Sequence, residues 1–273
     1  MTLLRDKTVL ITGGAGGIGK LLAERCVVEG AGRVVLWDID AEALERAAAT
    51  LRAAGGTPVT AVVDLSNVGQ IEAGARGLVA NHGPVDILFN NAGIVVGKSF
   101  ADHSCGDIES TIRINVLGVM HAARAFLPAM IEARRGHIVN IASAAGLTPN
   151  PNMSVYAASK WAVLGWSESL RLELAGVSHD LRVTTVCPSY IDTGMFHGAR
   201  APLLTPMLRP ETAADRIIAA VKSNKVLLRA PRIVNLIPVL RGVLPTRVFD
   251  LLIGRGFRIY DSMDHFVGRS AEP

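Results

Sequence analysis

Cysteine is scarce in this chain, and the few that occur exclude two common kinds of site. The 273 residues include only Cys26, Cys105 and Cys187, an odd number whose spacing fits neither a disulfide framework nor a zinc site. The seven histidines show no metal-ligand spacing either, so we assign no metal. A reducing cytoplasm is the simplest setting for such a chain.

Long hydrophobic runs are also missing. No apolar run reaches the ~18 residues that cross a bilayer, and we expect no secretory signal because strand-like residues 8–12 follow the first residue so closely. Aromatic residues make up only 5% of the chain, although 49% of it is hydrophobic. The core is therefore built from small and branched aliphatic residues, which is typical of strands buried on both faces of a parallel sheet.

Positive charge is concentrated near the C-terminus. The formal net charge of the chain is +4. Residues 222–273 carry nine Lys and Arg against four Asp and Glu, a net charge of +5, which leaves −1 for residues 1–221. Because these basic residues are interleaved with Leu, Ile, Val and Pro, they suit an apolar surface with an anionic rim better than a groove for nucleic acid. We expect no nucleic-acid partner.

Short apolar runs alternate with helix-like segments along the chain. The runs are rich in β-branched residues, whereas segments such as 41–54 and 108–134 have helical spacing of apolar residues. This alternation predicts a single α/β domain, a doubly wound parallel sheet with helices on both faces. We place one domain at 1–221 and an apolar, basic extension packed on it at 222–273. The predicted strands are 8–12, 33–38, 59–64, 85–90, 136–143 and 181–187.

A glycine-rich turn connects the first predicted strand to the next helix. Gly13, Gly17, Ile18 and Gly19 belong to the run Thr-Gly-Gly-Ala-Gly-Gly-Ile-Gly that follows strand 8–12. A dinucleotide fold needs glycine here for a tight turn, for close approach of the backbone to pyrophosphate, and for helix N–H groups that point at the anion. The position between a strand and a helix makes the signal stronger than the glycines alone.

Asp38 adds a second signal for a dinucleotide. It stands nineteen residues beyond Gly19, at the end of the second predicted strand. A carboxylate there accepts hydrogen bonds from the ribose hydroxyls of NAD and repels the extra phosphate of NADP. No Arg or Lys occupies position 14 or 39 to hold such a phosphate, so we predict NAD over NADP. The competing interpretation is a solvated carboxylate at a strand end.

Tyr156 and Lys160 stand four residues apart in Tyr-Ala-Ala-Ser-Lys. On a helix their side chains share one face and can meet. A phenol normally titrates near pH ~10, but an ammonium beside it favours the phenolate and lowers its pKa toward neutrality. The pair therefore predicts a general acid/base. Taken alone, such a pair more often reflects a shared helical face without chemistry, so the other motifs decide.

Three motifs occur in order, at 12–19, at 90–93 with the sequence Asn-Asn-Ala-Gly, and at 156–160. Together they resemble the short-chain dehydrogenase/reductase family over roughly residues 5–221. Three independent motifs in the right order are much more specific than any one of them. The resemblance implies a Rossmann-type fold and an NAD(P)-dependent oxidoreductase that acts on CH–OH groups.

The resemblance also implies roles for single residues. Ser143 matches the serine that binds the reacting oxygen, and Asn115 matches the helix asparagine that holds a water on the catalytic lysine; Tyr156 and Lys160 complete the tetrad. Alone, Ser143 would be interpreted as a strand-end cap and Asn115 as a helix residue bonded to backbone. The remaining matches are Asp64 and Leu65 beside the adenine, Asn90, Ala92 and Gly93 below the adenosine and ribose, and Pro188, Ile191 and Thr193 in the loop over the nicotinamide.

One position in that loop departs from the family pattern. Glycine usually follows the proline, whereas this chain has Ser189. Glycine permits backbone angles that serine avoids, so the path of the loop and its distance from the nicotinamide are open at this stage.

Substrate choice in this architecture depends on residues 194–210 and on the C-terminal segment. The apolar residues of 194–210 predict an adaptable lid and a lipophilic substrate, although they also suit an ordinary packed helix. We assign Ser143, Tyr156, Met195 and Phe196 to the substrate. The apolar lid residues are Met195, Phe196, Leu203, Leu204, Met207 and Leu208.

The C-terminal residues look like those of a subfamily of membrane-associated dehydrogenases that act on retinol, steroids and related lipid alcohols, although we expect no N-terminal anchor of the kind common among its animal members. Members of the short-chain dehydrogenase/reductase family commonly pair their subunits through helices that match 108–134 and 154–174. The resemblance therefore implies a homodimer or homotetramer. Tail 222–273 therefore has three open roles: a substrate lid, an oligomer interface, or peripheral contact with a membrane.

Two other functions remain open. One is an NADPH-dependent reductase of 3-oxoacyl chains or ketones, and Asp38 argues against it. The other is a dinucleotide-binding sensor or scaffold that has lost its chemistry. The complete set of Asn115, Ser143, Tyr156 and Lys160 argues against the second, because a degenerate member usually lacks at least one of these.

Overall fold

A parallel sheet organises the residues that the computed structural model describes, which are 1–203 and 205–268. Its order is β3-β2-β1-β4-β5-β6-β7, and each strand runs parallel to its neighbours. The strands are β1 (Thr8–Thr12), β2 (Arg33–Asp38), β3 (Pro58–Val62), β4 (Ile87–Asn90), β5 (Gly136–Ile141), β6 (Leu181–Pro188) and β7 (Leu227–Ala230).

Helices connect the strands and cover both faces of the sheet. They are α1 (Gly17–Val28), α2 (Ala41–Ala53), α3 (Val68–His82), α4 (Cys105–Ile112), α5 (Val119–Glu132), α6 (Ser154–Val177), α7 (Pro210–Lys222), α8 (Leu236–Val243) and α9 (Thr246–Phe249). Two π-helical segments, Arg113–Gly118 and Asp250–Arg255, continue α4 and α9, and short 3-10 turns lie at Phe100–Asp102, Ala144–Gly146 and Arg232–Asn235.

Alternate residues of the strands β1, β2, β4, β5 and β6 belong to two separate cores. In β1, Val9 and Ile11 pack with apolar residues of α1, α2 and α7, whereas Leu10 packs with residues of α3, α5 and α6 on the other face. Trp37 of β2 contacts Phe126 of α5 on that second face, with ring centres 5.5 Å apart. Both faces of the strands are therefore buried, and the predicted α/β fold is confirmed.

The strand order places a crevice at the carboxyl ends of the central strands β1 and β4. β1 pairs with β2 on one side and with β4 on the other, so the chain reverses direction along the sheet at this point. In open α/β sheets ligands bind outside the carboxyl ends of the strands at such a reversal. The glycine turn follows β1 there, and the run 90–93 lies beside it.

One helix is long and apolar enough to cross a membrane by length and composition alone, although it contains no unbroken apolar run of 18 residues. This helix is Cys105–Glu132, which is 28 residues long and consists of α4, the π-helical segment and α5. In the fold, 44% of its most apolar window is buried. Ala122, Phe126 and Met130 of this helix belong to the core under the sheet, which accounts for its apolar composition.

The C-terminal residues belong more closely to the domain than the sequence predicts. β7, which lies beyond the proposed boundary at 221, is the seventh strand of the sheet and pairs with β6. Val234, Ile237 and Phe249 then pack into an apolar cluster with Ala142 and Cys187 of the main body. The sheet therefore continues through 230, and the later segments complete its cover. Arg269, counted in the basic tail, lies outside the described residues.

Candidate active site

The glycine turn before α1 lines a cavity of about 450 Å³. Gly13 and Gly17 have φ angles of 63° and 51°, which glycine adopts without strain. A Cβ on Gly13 would lie 2.9 Å from Cα of Ala92, and a Cβ on Gly19 would lie 2.0 Å from the backbone oxygen of Gly13. No side chain caps the N-terminus of α1. Its backbone N–H groups therefore remain available to an anion such as pyrophosphate.

Asp38 lies beside this turn at the end of β2. One carboxylate oxygen accepts a hydrogen bond from the N–H of Ala15 at 3.0 Å, and the other accepts one from the N–H of Ile39 at 2.8 Å. The half-buried side chain lines the cavity. Since a carboxylate has about four acceptor positions, lone pairs remain for ribose hydroxyls. The glycine turn and this carboxylate together fit a dinucleotide.

Asp64 and Leu65 line the cavity after β3, as the sequence predicts. The Asp64 carboxylate is engaged by its neighbour: its oxygens accept hydrogen bonds from the N–H and the hydroxyl of Ser66, both at 2.8 Å. The Asp64 N–H donates to the side-chain oxygen of Gln70 at 2.8 Å. The side chain therefore shapes the loop, and Leu65 supplies an apolar wall.

The run after β4 gives one correction. Ala92 and Gly93 line the cavity, but Asn90 does not. Asn90 is buried in the sheet, where its amide nitrogen donates to the side-chain oxygen of Asn140 at 2.8 Å. Because side chains of a strand alternate between faces, Asn91 takes the position beside the turn. Its amide donates to the backbone oxygens of Thr12 at 2.9 Å and Gly13 at 3.1 Å.

Tyr156 and Lys160 lie one turn apart on α6, and both are buried. Nζ of Lys160 donates to the backbone oxygen of Ile141 at 3.0 Å and lies 5.6 Å from the centre of the Tyr156 ring. Burial lowers the pKa of Lys160 to about 8, while nearby Cys187 acts in the opposite direction. The side chain is still an ammonium at neutral pH.

The pKa of Tyr156 differs from the sequence prediction of a phenol made acidic by Lys160. Burial raises the pKa of this phenol above its usual value, and the side chain of Ser143 opposes the rise only in part. The Lys160 ammonium donates its hydrogen bond to the backbone of Ile141. Loss of solvent around the phenol is therefore the main effect on the pKa of Tyr156. Tyr156 therefore carries its proton at neutral pH in this structure.

Asn115 lies in the π-helical segment between α4 and α5 and is fully buried. Its side chain exchanges two hydrogen bonds of 2.9 Å with the backbone of Ile94 and donates to the hydroxyl of Ser159 at 3.1 Å. It does not line the cavity but holds the segment that does. A Cβ on Gly93 would lie 3.1 Å from Oδ1 of Asn115 and 3.5 Å from Nζ of Lys160, so glycine keeps this corner open.

Ser143 lines the cavity near Tyr156, just after β5. Its hydroxyl oxygen accepts a hydrogen bond from the N–H of Ala145 at 3.1 Å, so the residue also caps the short 3-10 turn that follows. The cap predicted as the alternative is therefore present, and the role of Ser143 in binding the reacting oxygen stays a prediction. A hydroxyl fixed by this bond can still donate its hydrogen to a substrate oxygen.

The loop after β6 settles the question of Ser189. This residue does not have a positive φ angle, and its N–H donates to the backbone oxygen of Ala230 at 2.7 Å. Serine is therefore accommodated without backbone strain. Ile191 forms a bridge with Leu208, and the cavity is lined here by Pro188, Ile191 and Thr193.

Met195 and Phe196 line the cavity beside the tetrad. The Phe196 ring meets the ring of Tyr156 edge-on, with centres 6.1 Å apart. Residues 194–203 contain a turn at 195–198 and otherwise irregular backbone, so the alternative of a packed helix is wrong over this part. Met207 and Phe196 both pack against the apolar cluster that includes Tyr156, whereas Leu203 is exposed. Leu204 lies outside the described residues.

Known proteins with similar sequences identify the family of this chain. The family model for short chain dehydrogenases matches residues 7–203. The chain belongs to the short-chain dehydrogenase family. It is 37% identical over 265 residues to epidermal retinol dehydrogenase 2 of Mus musculus, which covers 96% of this chain and 85% of the relative. It is 34% identical over 245 residues to estradiol 17-beta-dehydrogenase 11 of Macaca fascicularis, with coverage of 89% and 81%.

Solved structures of short-chain dehydrogenases have the same fold. One from Burkholderia phymatum in complex with NAD superimposes with a TM-score of 0.79 at 29% identity, covering 93% of this chain and 97% of that one. A metagenomic oxidoreductase in complex with NADP gives a TM-score of 0.71 at 34% identity, with coverage of 84% and 99%. The predictions of the family and of an NAD(P)-dependent oxidoreductase acting on CH–OH groups are confirmed.

The structure brings most of the predicted site residues of this short-chain dehydrogenase to one cavity. Three predicted residues lie just outside it: Gly19 packs under the turn, Asn115 supports the segment beside Lys160, and Asn90 is turned into the sheet. The predicted residues that line the cavity are Gly13, Gly17, Ile18, Asp38, Asp64, Leu65, Ala92, Gly93, Ser143, Tyr156, Lys160, Pro188, Ile191, Thr193, Met195 and Phe196.

Sequence reasoning missed two residues that hold this dehydrogenase site together. The Thr12 hydroxyl accepts hydrogen bonds from the N–H groups of Asn91 at 3.0 Å and Ala92 at 3.1 Å, and so ties the end of β4 to the glycine turn. Both residues belong to motifs that the sequence shows. The signal was the position of Thr12 at a strand end and of Asn91 between two assigned residues.

Proposed function

We propose that this short-chain dehydrogenase transfers a hydride between a nicotinamide cofactor and a lipophilic alcohol or its carbonyl, such as a retinoid, a steroid or a long-chain alcohol. The observation that carries the proposal is one cavity with Asp38 and the glycine turn at one end and Ser143, Tyr156 and Lys160 at the other. The names of the curated relatives, a retinol dehydrogenase and an estradiol dehydrogenase, support the substrate class.

The cofactor, when bound, supplies the hydride chemistry, and the residues around it position and move a proton. The backbone of Gly13 and Gly17 would hold its pyrophosphate and Asp38 its ribose. Ser143 donates a hydrogen bond to the reacting oxygen. In carbonyl reduction Tyr156 donates its proton to that oxygen. In alcohol oxidation the phenol first releases its proton to solvent, and the Tyr156 phenolate then accepts the proton of the alcohol hydroxyl. The Lys160 ammonium is the positive charge placed to stabilise the phenolate.

NAD is the cofactor we propose, with NADP disfavoured. The support is the Asp38 carboxylate, which its bonds to Ala15 and Ile39 fix at the end of β2. The additional ribose phosphate of NADP would meet the negative charge of Asp38 here. We expect kcat/KM to be higher with NAD than with NADP, and Asp38→Asn to reduce that ratio by about tenfold or more, since one tenfold step is ~1.4 kcal/mol. A preference for NADP in the unchanged protein contradicts this assignment.

An apolar wall supports a lipophilic substrate. Met195 and Phe196 lie beside the tetrad, and Met263 of the tail packs into the same cluster. A second, smaller cavity of about 40 Å³ extends from Ser143 toward Ile237 of the tail. Pockets of mainly apolar lining with a few polar groups recognise small lipophilic molecules.

A substrate panel tests the function as a whole. The protein is incubated with NAD or NADP and with retinoid, steroid and long-chain alcohols, and the absorbance of the reduced cofactor is followed. We expect turnover of at least one of these alcohols. Preferential reduction of 3-oxoacyl chains or ketones with NADPH supports the reductase alternative. Cofactor binding without turnover of any alcohol or carbonyl supports a sensor or scaffold.

We further propose a homodimer or homotetramer formed through the helical faces of 108–134 and 154–174. The support is exposed apolar side chains on these segments, including Leu117, Trp161 and Leu172. Apolar surface of this kind gains stability when a second copy covers it. Sedimentation velocity is the test: we expect a species of two or four chains, and a monomer at micromolar concentration contradicts the proposal.

Peripheral membrane contact through the tail is also part of the proposal, within a cytoplasmic localisation. Leu236, Val239 and Val243 lie on one side of α8 with exposed fractions of 53%, 61% and 77%. Leu251 and Leu252 are exposed in the π-helical segment that follows α9. Four exposed arginines lie near these residues in the sequence: Arg232, Arg241, Arg247 and Arg255. Exposed aliphatic residues with arginines at their border favour a surface of anionic lipid.

A further inference from the structure

A buried polar cluster lies behind the substrate end of the cavity. Asn150 comes from the loop between β5 and α6, Tyr190 from the loop after β6, and Ser262 from the C-terminal tail. Their exposed fractions are 9%, 7% and 1%. Three separate segments of the chain therefore meet through polar side chains, in a region whose other contacts are apolar.

Hydrogen bonds link all three side chains of this cluster. The Ser262 hydroxyl lies 2.6 Å from the backbone oxygen of Ile259 and 3.3 Å from Oδ1 of Asn150. Because its one hydrogen serves these acceptors, the Ser262 hydroxyl accepts from the Tyr190 hydroxyl at 2.8 Å. The Tyr190 oxygen accepts from the amide of Asn150 at 3.3 Å. Burial raises the pKa of Tyr190, so its hydroxyl keeps the proton that it donates. Each hydroxyl in the cluster thus has a partner, as buried polar groups require.

Aromatic contacts connect the cluster to the proton-transfer residue. The Tyr190 ring meets Phe196 edge-on with ring centres 5.1 Å apart, and Phe196 meets Tyr156 in the same manner at 6.1 Å. Phe196 therefore stands between the polar cluster and the catalytic phenol. Its position depends on Tyr190, and the position of Tyr190 depends on the tail.

The tail is also tied to the lid by backbone hydrogen bonds. The backbone oxygen of Ser262 accepts from the N–H of Arg200 at 2.8 Å, and the backbone oxygen of His197 accepts from the N–H of Val267 at 3.0 Å. Ser262 thus contacts the lid through its backbone and Tyr190 through its side chain. One residue of the tail therefore connects the lid to Tyr190, which lines the smaller cavity.

We propose that Asn150, Tyr190 and Ser262 are specificity-determining positioning residues that hold the tail and Phe196 so that the cavity accepts a bulky apolar alcohol. The proposal rests on the proposed function. The smaller cavity of about 40 Å³ is too small for a retinoid or steroid, but Phe196 lines both it and the larger cavity of about 450 Å³, so the hydrocarbon part of such a substrate lies against Phe196 in the larger one. A small alcohol needs only the tetrad and does not depend on this cluster.

Tyr190→Phe and Ser262→Ala test the proposal because each removes one hydroxyl and little volume. We expect KM for retinol or estradiol to rise about two- to tenfold, the range of one lost hydrogen bond, while kcat changes less. Kinetics with butan-2-ol should stay within a factor of about two. Hydrogen exchange of backbone amides in 257–268 should become faster, which reports the loosened tail directly.

Tyr260→Phe is the matched control. The Tyr260 hydroxyl donates to the Asp250 carboxylate within the tail, and the residue is absent from the linings of both cavities. This variant should leave KM for the bulky alcohol unchanged. An equal rise in KM for Tyr260→Phe and Tyr190→Phe overturns the proposal, because general loosening of the tail then explains both. An unchanged KM in Tyr190→Phe overturns it as well.

The two proposals fail in different ways. If the unchanged protein oxidises no alcohol, the proposed function fails, and estradiol binding followed by equilibrium dialysis replaces KM as the readout. The positioning proposal then requires weaker estradiol binding and faster exchange of 257–268 in Tyr190→Phe than in Tyr260→Phe. Equal binding and equal exchange in these two variants overturn it.

Discussion

The behaviour of the catalytic side chains depends on burial more than on spacing. The four-residue separation predicts that Tyr156 and Lys160 share a face, and they do. Spacing does not reveal that Nζ of Lys160 donates to Ile141, or that burial raises the pKa of the phenol. Desolvation is set by everything packed around a group, and that information is spread over the whole sequence.

The same limit applies to asparagines of the motifs. Asn90 and Asn91 are adjacent and identical in type, yet one is buried between strands and the other holds the glycine turn. Which of the two asparagines faces the cavity depends on which residues of β4 point to each side of the sheet. A shift of the strand by one residue would exchange the two positions. The sequence shows the motif but not this orientation.

His137 gives a prediction about stability and pH. Its ring is buried, with Nε2 2.8 Å from the hydroxyl of Thr184, which itself donates to the backbone oxygen of Lys225. Burial lowers the pKa of His137 to about 3 from an ordinary 6.5, and the charge of Arg182 adds to this. Between these values the unfolded chain binds a proton that the folded protein does not, so the free energy of unfolding falls as pH falls from about 6.5.

Urea unfolding at several pH values measures this effect. The slope from His137 approaches about 1.4 kcal/mol per pH unit in the window. We expect His137→Gln to flatten the dependence between about pH 6.5 and 4 by most of that amount. His179→Gln, at an exposed position, should keep the original slope. Identical slopes in the two variants contradict the assignment.

Among the elements, strands and helices with strong patterns are predictable and short ones are not. The six predicted strands occur with ends shifted by a few residues; for instance, β3 is Pro58–Val62 where 59–64 was predicted. β7 is missed because four residues, Leu227–Ala230, give too short a pattern before a proline-rich stretch. Its pairing with β6 is a tertiary contact that local propensity does not encode.

The π-helical segment at Arg113–Gly118 is likewise invisible in the apolar spacing, which runs on from α4 to α5. Within it, Asn115 bonds to both backbone groups of Ile94. Insertions of this kind in helices often occur at functional sites. The segment interrupts the α-helix at Asn115, the residue that holds the backbone beside Lys160.

Gly19→Ala tests the glycine turn and α1 as a unit. A Cβ there would lie 2.0 Å from the backbone oxygen of Gly13, so the turn has to move. We expect about 1–3 kcal/mol of lost stability and a marked loss of NAD affinity, measured by denaturant unfolding and by fluorescence titration.

Gly77→Ala is the matched control, because a Cβ at this exposed position in α3 meets nothing within 4 Å and α3 lies outside the proposed subunit interface. It should stabilise the protein by about 0.5–1 kcal/mol, as expected for glycine replaced by alanine in an exposed helix, and leave NAD affinity unchanged. Full NAD affinity in Gly19→Ala would show that the turn does not determine the cofactor site.

For the molecule as a whole, the tail is part of the domain and not an appendage. It contributes β7 to the sheet and Ile237, Phe249 and Ile259 to an apolar cluster with the main body. The uneven charge and the prolines of residues 222–273 suggest a separate segment, because composition does not show which residues a chain packs against. Deleting the tail would therefore remove core as well as surface.

Membrane contact is best tested by point substitutions. Val239→Ser with Val243→Ser removes apolar surface from the exposed side of α8 without touching the buried Ile237. We expect these changes to reduce co-sedimentation with vesicles of phosphatidylcholine and phosphatidylserine, and binding of the unchanged protein to fall when phosphatidylserine is omitted. Val28→Ser, exposed on α1, is the control and should not alter binding. Equal sedimentation of all three proteins argues against the contact.

The direct test of the central claim is the turnover of Tyr156→Phe. This change removes the phenolic hydroxyl that moves the proton and keeps the ring that packs against Phe196. Alcohol oxidation by the purified variant is measured with saturating cofactor, together with the dissociation constant of NAD. We predict a fall in kcat of about 10²–10⁴-fold with nearly unchanged NAD affinity. Turnover close to that of the unchanged protein would contradict the assignment of Tyr156 as the proton-transfer group.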